Sequence, residues 1–180
     1  MIFDMNNELW EKAAAFHGHK CPGLAIGYRA CEALIEKFSL TGRSEDEKLV
    51  CITENDACGV DAIQAILGCS FGKGNLIYRG TGKHAFSFYN RTTGQKIRMY
   101  LKARNNDNLD RPEWQKRLLE MPIEDVFEFS IPAFEPPEKA RHFKTVYCEL
   151  CGEGAPEHKM RLQDGKIVCL DCFKSYDRGW

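Results

Sequence analysis

The sequence predicts a mixed α/β body followed by a small metal-clipped ribbon, and three observations carry that prediction. Apolar residues recur at three- and four-residue spacing after residue 22; short β-branched and aromatic runs separated by Gly and Asn turns fill residues 49–101; and two Cys-x-x-Cys pairs stand near the end of the chain. The 180 residues leave room for one cored domain and a small appendage. With a formal net charge of −1 and dispersed basic residues, neither a nucleic acid nor an anionic membrane is favoured as partner. Met1-Ile2-Phe3-Asp4-Met5 lacks the basic start and apolar stretch of a signal peptide, and no run approaches the ~18 apolar residues of a membrane span, so a cytoplasmic location is expected. In that reducing compartment nine cysteines read as metal ligands and core residues rather than as disulfides.

Asn7 is placed to cap a short first helix through Phe16, which Gly18 ends. Pro22 suits the first turn of a second helix, since its missing N–H is an orphan donor there in any case, and Cys21 then falls at the N-cap. Leu24, Tyr28, Cys31, Leu34, Ile35 and Phe38 give that helix a buried face over residues 22–39, ended by Thr41-Gly42. Leu49-Val50-Cys51-Ile52-Thr53 reads as a buried strand, and Val60, Ile63, Ile66 and Leu67 as a helix opening after Cys58. Residues 76–79, 84–89 and 96–101 read as three strands joined by two hairpins, and residues 112–119 and 123–127 as helices. Cys31 and Cys51 fall on core faces and are read as structural.

The proline-dense stretch around Ile131-Pro132-Ala133-Phe134-Glu135-Pro136-Pro137 marks a linker, giving a body over residues 1–130, a linker over 131–144 and a ribbon over 145–180. Cys148-Glu149-Leu150-Cys151 and Cys169-Leu170-Asp171-Cys172, seventeen residues apart, form a tetrathiolate set; Asp164-Gly165 supplies a hairpin turn between them. Four sulfurs make a coordinatively closed, structural site, for which zinc is the expected metal and an iron or iron–sulfur centre the lesser reading.

A second set of donors lies upstream in His17-Gly18-His19-Lys20-Cys21-Pro22-Gly23. On extended backbone, residues i, i+2 and i+4 face one way, so His17, His19 and Cys21 line one side. Cys21 and Cys58 both precede helices, whose N-terminal dipoles and free N–H groups favour a thiolate. Mixed His/Cys ligation often leaves a coordination position free, and His19 or His17, Cys21 and Cys58 are read as holding a second divalent ion, zinc foremost. Either histidine is chemically able to ligate, and the other to shuttle protons. Lys73 and Lys83 sit on glycine-flanked loops where they can orient a small anionic substrate or act as solvated turn residues. They are the candidate catalytic residues with His17, and Asn75 and Cys69 the candidate cofactor-contacting ones. The loop at 68–75 is one residue short of a phosphate loop and has Gly74 where that motif needs Ser or Thr.

Phe16-His17-Gly18-His19-Lys20-Cys21-Pro22-Gly23, Asp56-Ala57-Cys58-Gly59-Val60-Asp61-Ala62-Ile63-Gln64 and Gly68-Cys69-Ser70-Phe71-Gly72-Lys73-Gly74-Asn75, in this order, resemble the FmdE family, the E subunits of formylmethanofuran dehydrogenase. Ser70 stands where threonine is expected, a conservative departure, and the tail resembles an extension that many members carry. The resemblance implies an α+β fold with helices on a mainly antiparallel sheet, a homodimer, and a metal site near the His/Cys run and Cys58. It further implies association with molybdenum- or tungsten-dependent formyl or formate oxidation, with molybdopterin reached through a partner protein. Two roles follow: an accessory or catalytic metalloprotein of one-carbon redox chemistry, or a metal or molybdopterin carrier, sensor or assembly module that docks a partner through its ribbon without turnover.

Overall fold

In the computed structural model, which describes residues 2–176, the chain forms two compact units that divide after Lys139. The first is α+β, as expected. Helix α1 (Ile2–His17) begins before Asn7, which lies inside it rather than at its cap. It ends where Gly18 takes the left-handed conformation (φ +92°) and donates its N–H to Ala14 O at 2.8 Å, a turn a side chain would strain. Helix α2 (Pro22–Phe38) has Cys21 at its N-cap: extended backbone there lets Sγ accept from Leu24 N at 3.3 Å. Ser39, left-handed at φ 51°, closes it three residues before the predicted Gly42.

Strand β1 (Leu49–Thr53) is buried along its whole length, consistent with its unbroken apolar run. It leads through α3 (Gly59–Ala62) and a π-helical turn (Ile63–Leu67) to β2 (Leu76–Tyr78), which pairs with it in parallel. A parallel pair requires such a crossover, and this overturns the expectation of two hairpins: of the three strands read at 76–101, only β3 (Ala85–Asn90) and β4 (Lys96–Leu101) form one. With β5 (Phe127–Ser130) the sheet order is β2-β1-β3-β4-β5, antiparallel apart from β1/β2. Helix α4 (Arg111–Glu120), capped by Asp110 with Glu113 in a reciprocal capping box, packs with α5 (Ile123–Val126) against α2.

The main core includes Leu24 and Leu34 of α2, Phe86 and Phe88 of β3, Met99, Leu118 and Phe127, all buried. Burying each such side chain stabilises the fold by about 1.5–3 kcal/mol. Val50, Ile52 and Tyr89 form a separate cluster. Phe134, from the proline-dense stretch, covers it: the Tyr89 hydroxyl donates to Phe134 O and the Arg79 guanidinium stacks 4.3 Å over the Phe134 ring. Residues 131–139 thus strap onto the body.

Helices α2 and α3 cross at glycines. A Cβ placed on Gly27 falls 2.0 Å from Gly59 O, and one on Gly23 falls 3.2 Å from Cys58 Cβ. Their lack of side chains is what allows the start of α3, and Cys58 with it, to lie against the start of α2.

The second unit contains two hairpins, β6 (Thr145–Tyr147) with β7 (Gly154–Pro156) and β8 (Arg161–Gln163) with β9 (Lys166–Val168). Asp164 (φ 51°) and Gly165 (φ 77°) are both left-handed, the type I′ turn that Asp-Gly favours. Its buried apolar content is little more than Cys148, Val168 and Cys169, with Met160, Cys172 and Phe173 packed against them, so a metal must supply what the core does not. No helix among the described residues is long and apolar enough to cross a membrane.

Candidate metal centres

Among the described residues, metal-type donors converge in two places. In the ribbon the sulfurs of Cys148, Cys151, Cys169 and Cys172 lie within 4.8 Å of one another, Cys151 and Cys169 at 3.8 Å. Cys148 and Cys151 stand on the turn between β6 and β7, tightened by Gly152 N–H donating to Cys148 O at 2.9 Å. Backbone N–H groups aimed at sulfur, including those of Cys151 and Cys169, draw the Cys148 thiol down to about 6; hydrogen bonding to Cys151 and Cys169 pushes Cys172 up to about 12. Crowded thiols cannot all ionise by themselves. A divalent cation removes that conflict, and four convergent sulfurs suit tetrahedral zinc.

The upstream group is His17, His19 and Cys21, whose donor atoms also lie within 4.8 Å of one another. His17, the last residue of α1, places Nε2 3.8 Å from Cys21 Sγ, while its Nδ1 lies 2.7 Å from Asp61 Oδ2. A carboxylate oxygen accepts, so Nδ1 carries a proton, and in the neutral imidazole Nε2 presents its lone pair toward the sulfur. This carboxylate–histidine arrangement orients metal-binding imidazoles. Asp61 in turn accepts from Gln64 Nε2 at 3.2 Å. His19 is exposed, its ring 4.5 Å from that of His17, and has no such support among the described residues. Replacing Asp61 with Ala is expected to weaken upstream metal binding by about 10- to 100-fold without loss of the ribbon metal, measurable by competition with a chelating dye.

Cys58 lies against Cys21 from the α3 side: the position of a Cβ on Gly23 is 3.4 Å from Cys58 Sγ and 4.0 Å from Cys21 Sγ. It stands outside the mutually adjacent trio. Its thiol is raised, by burial first and then by hydrogen bonding and charge from Cys21, which corrects the expectation of a low-pKa cysteine there. The residue is already helical (φ −47°) and its side chain makes no cap bond. A cation between the two sulfurs would reverse the shift.

The other sequence candidates are placed apart. Lys73 donates to Ser44 O at 3.3 Å, before the start of β1. Lys83 lies beyond the other end, its carbonyl accepting from Asn55 Nδ2 at 3.1 Å. Since β1 spans on the order of 15 Å, one small anion cannot meet both. The Lys83 loop adjoins the segment leading to Cys58, pinned by buried Glu54, which accepts from Arg98 at 2.7 Å and Thr81 at 2.8 Å. Burial pushes the Glu54 carboxyl up, and these two bonds outweigh it to hold it below its ordinary value. Asn75 is wholly buried; its amide donates to Asp46 O and Leu49 O and accepts from Ser70 N. Cys69 is also wholly buried, donates to Leu49 O, and is pushed up to about 12 by burial. Both fasten the 68–75 loop to the start of β1.

Residues 16–128 match the family model described as FmdE, molybdenum formylmethanofuran dehydrogenase operon. The chain belongs to the FmdE family. Residues 142–178 match the prokaryotic dksA/traR C4-type zinc finger, in agreement with the four-sulfur cluster. The crystal structure of an FmdE-like protein from Syntrophus aciditrophicus, of the tungsten formylmethanofuran dehydrogenase type, is similar to this FmdE chain with a TM-score of 0.65 and 26% identity, over 93% of this chain and 91% of that one. A probable S-adenosyl-L-methionine-binding protein of Archaeoglobus fulgidus is 31% identical over 92% of this chain. The match spans only 52% of that relative's length.

Proposed function

We propose that this FmdE protein is a two-metal protein of molybdenum- or tungsten-linked one-carbon redox metabolism. The C4 ribbon holds a structural zinc, and His17, Cys21 and Cys58, with His19 at the edge, hold a second divalent ion, zinc foremost. The observation that carries the reading is the His17 imidazole, fixed at Nδ1 by Asp61 with Nε2 turned toward Cys21 Sγ. When bound there, a divalent ion with an open position supplies Lewis-acid polarisation of a formyl or formate oxygen. Asp61 keeps His17 in one tautomer, and the Leu24 N–H supports the Cys21 sulfur. His19, exposed beside His17, is placed to carry protons between the site and water. Lys83 is the better placed of the two lysines to orient an anion, because its loop adjoins the approach to Cys58.

Purified protein is expected to hold two metal ions per chain by elemental analysis. Cys58→Ser and Cys21→Ser should each hold one, with the ribbon ion retained; two ions in the Cys58→Ser protein would refute the upstream site.

A second reading, a non-catalytic metal or molybdopterin carrier, sensor or assembly module, is favoured by the ribbon surface, where Leu150, Leu162, Ile167 and Leu170 are exposed and apolar surface on so small a unit suits a docking role. Turnover of a formyl compound by the isolated protein supports the first reading. Activity only in a stoichiometric complex with a molybdenum or tungsten enzyme supports the second. Homodimer formation belongs to either and is measurable by sedimentation.

A further inference from the structure

We propose that the FmdE domain carries a second ligand site, separate from the metal centre, for a small amphiphile with a single anionic group. A cavity of about 540 Å³ opens beside the C-terminal half of α2, its lining on that helix lying about 12 to 22 Å from Cys21. Its size falls in the range of small-molecule sites. The walls are hydrocarbon and come from separate elements: Leu9 of α1, Ile35 of α2, Leu40 just beyond it, Ile66 of the π-helical turn and Ile123 of α5.

The charges around the cavity select the ligand. Arg29 and Glu32 form an ion pair at 3.3 Å that balances their charges, the Arg29 guanidinium donates to Leu119 O and Met121 O at 2.8 and 2.7 Å, and Glu32 Oε1 accepts from the Tyr28 hydroxyl, so this pair belongs to the framework. Lys12, Arg43 and Glu36 remain at the lining. Among the described residues Lys12 and Glu36 have no side-chain partner, and Arg43 has a single 3.4 Å contact, to Gln64 O. Two cations against one carboxylate leave one positive charge over an apolar cavity. A monocarboxylate with an aliphatic or aromatic body matches both features: its body replaces water on the hydrocarbon walls and its carboxylate takes the donors of Lys12 and Arg43.

The test is calorimetric titration of the full-length, metal-loaded protein with octanoate and, separately, octylamine. Octanoate should bind saturably at one per chain, with octylamine weaker by about tenfold or more. Leu40→Trp, which fills the cavity from a half-exposed position, should weaken octanoate by about tenfold or more, and the surface double variant Lys12→Gln/Arg43→Gln should erase the preference for octanoate over octylamine. Metal content should remain that of the parent in both variants, so failure here leaves the metal reading intact. Three outcomes overturn the site: no saturation at millimolar octanoate, equal binding of the two probes by the parent protein, or unchanged octanoate affinity in both variants. Conversion of a dimer to monomers by Leu40→Trp, with octanoate competing against association, would assign the cavity to a second copy of the chain and overturn it as well.

Discussion

Gly27→Ala is expected to destabilise the FmdE domain by about 3 kcal/mol or more and to abolish upstream metal binding. The added methyl would sit 2.0 Å from Gly59 O and 2.5 Å from both Gly59 C and Gly59 Cα. Backbone atoms have no rotamer by which to yield, so α2 and α3 must separate. The substitution has a small opposing benefit, because alanine is a better helix former than glycine by about 1 kcal/mol; a clash with three backbone atoms overrides it. Separation also moves Cys58, the residue before Gly59, away from Cys21. Thermal unfolding followed by circular dichroism should show a midpoint lowered on the order of 10 °C. Elemental analysis of whatever folds should find the ribbon ion alone. A normal midpoint with two bound ions would show that the crossing is looser than the geometry requires.

Cys169→Ser is expected to unfold the ribbon while leaving the FmdE domain folded. Cys169 is buried, and its sulfur lies 3.8 Å from that of Cys151. Its backbone N–H also donates to Cys148 Sγ at 3.3 Å, tying the two Cys-x-x-Cys turns together. The ribbon has few buried side chains besides its ligands, and for such units metal-binding free energy is folding free energy. The variant should therefore lose one metal per chain and become open to proteolysis after residue 140, with the midpoint of the larger unit little changed. Chelation of the parent protein should reproduce this pattern in the ribbon. Resistance of the metal-free ribbon to protease would contradict the view that metal holds it.

What the sequence made legible was what is local. The extent of α2 follows from its spacing and from Pro22, and the ribbon from its paired cysteines and the Asp164-Gly165 turn, since each depends on neighbours a few residues apart. Pairing between β1 and β2 is different, because an apolar run long enough for a strand carries no mark of parallel or antiparallel partnership. Asp61 shows the same limit at the site. It is quoted within a motif, yet nothing in its own surroundings says that it meets a histidine 44 positions away. Asn75 offers identical donors to a ligand or to backbone carbonyls, and only the folded loop shows that backbone takes them. Sequence leaves the choice between His17 and His19 open for a related reason: imidazoles two residues apart differ only in what the rest of the chain places behind them.

The Phe134 strap bears on how this protein can be dissected. A fragment ending near residue 130, where the family match stops, would expose Val50, Ile52 and Tyr89 to water and leave the Tyr89 hydroxyl and the Arg79 guanidinium without Phe134. Such a fragment would be prone to associate through that newly bared face of the sheet, so its behaviour would describe the cut rather than the domain. Excision after Lys139 keeps the cover in place and gives a meaningful isolated body.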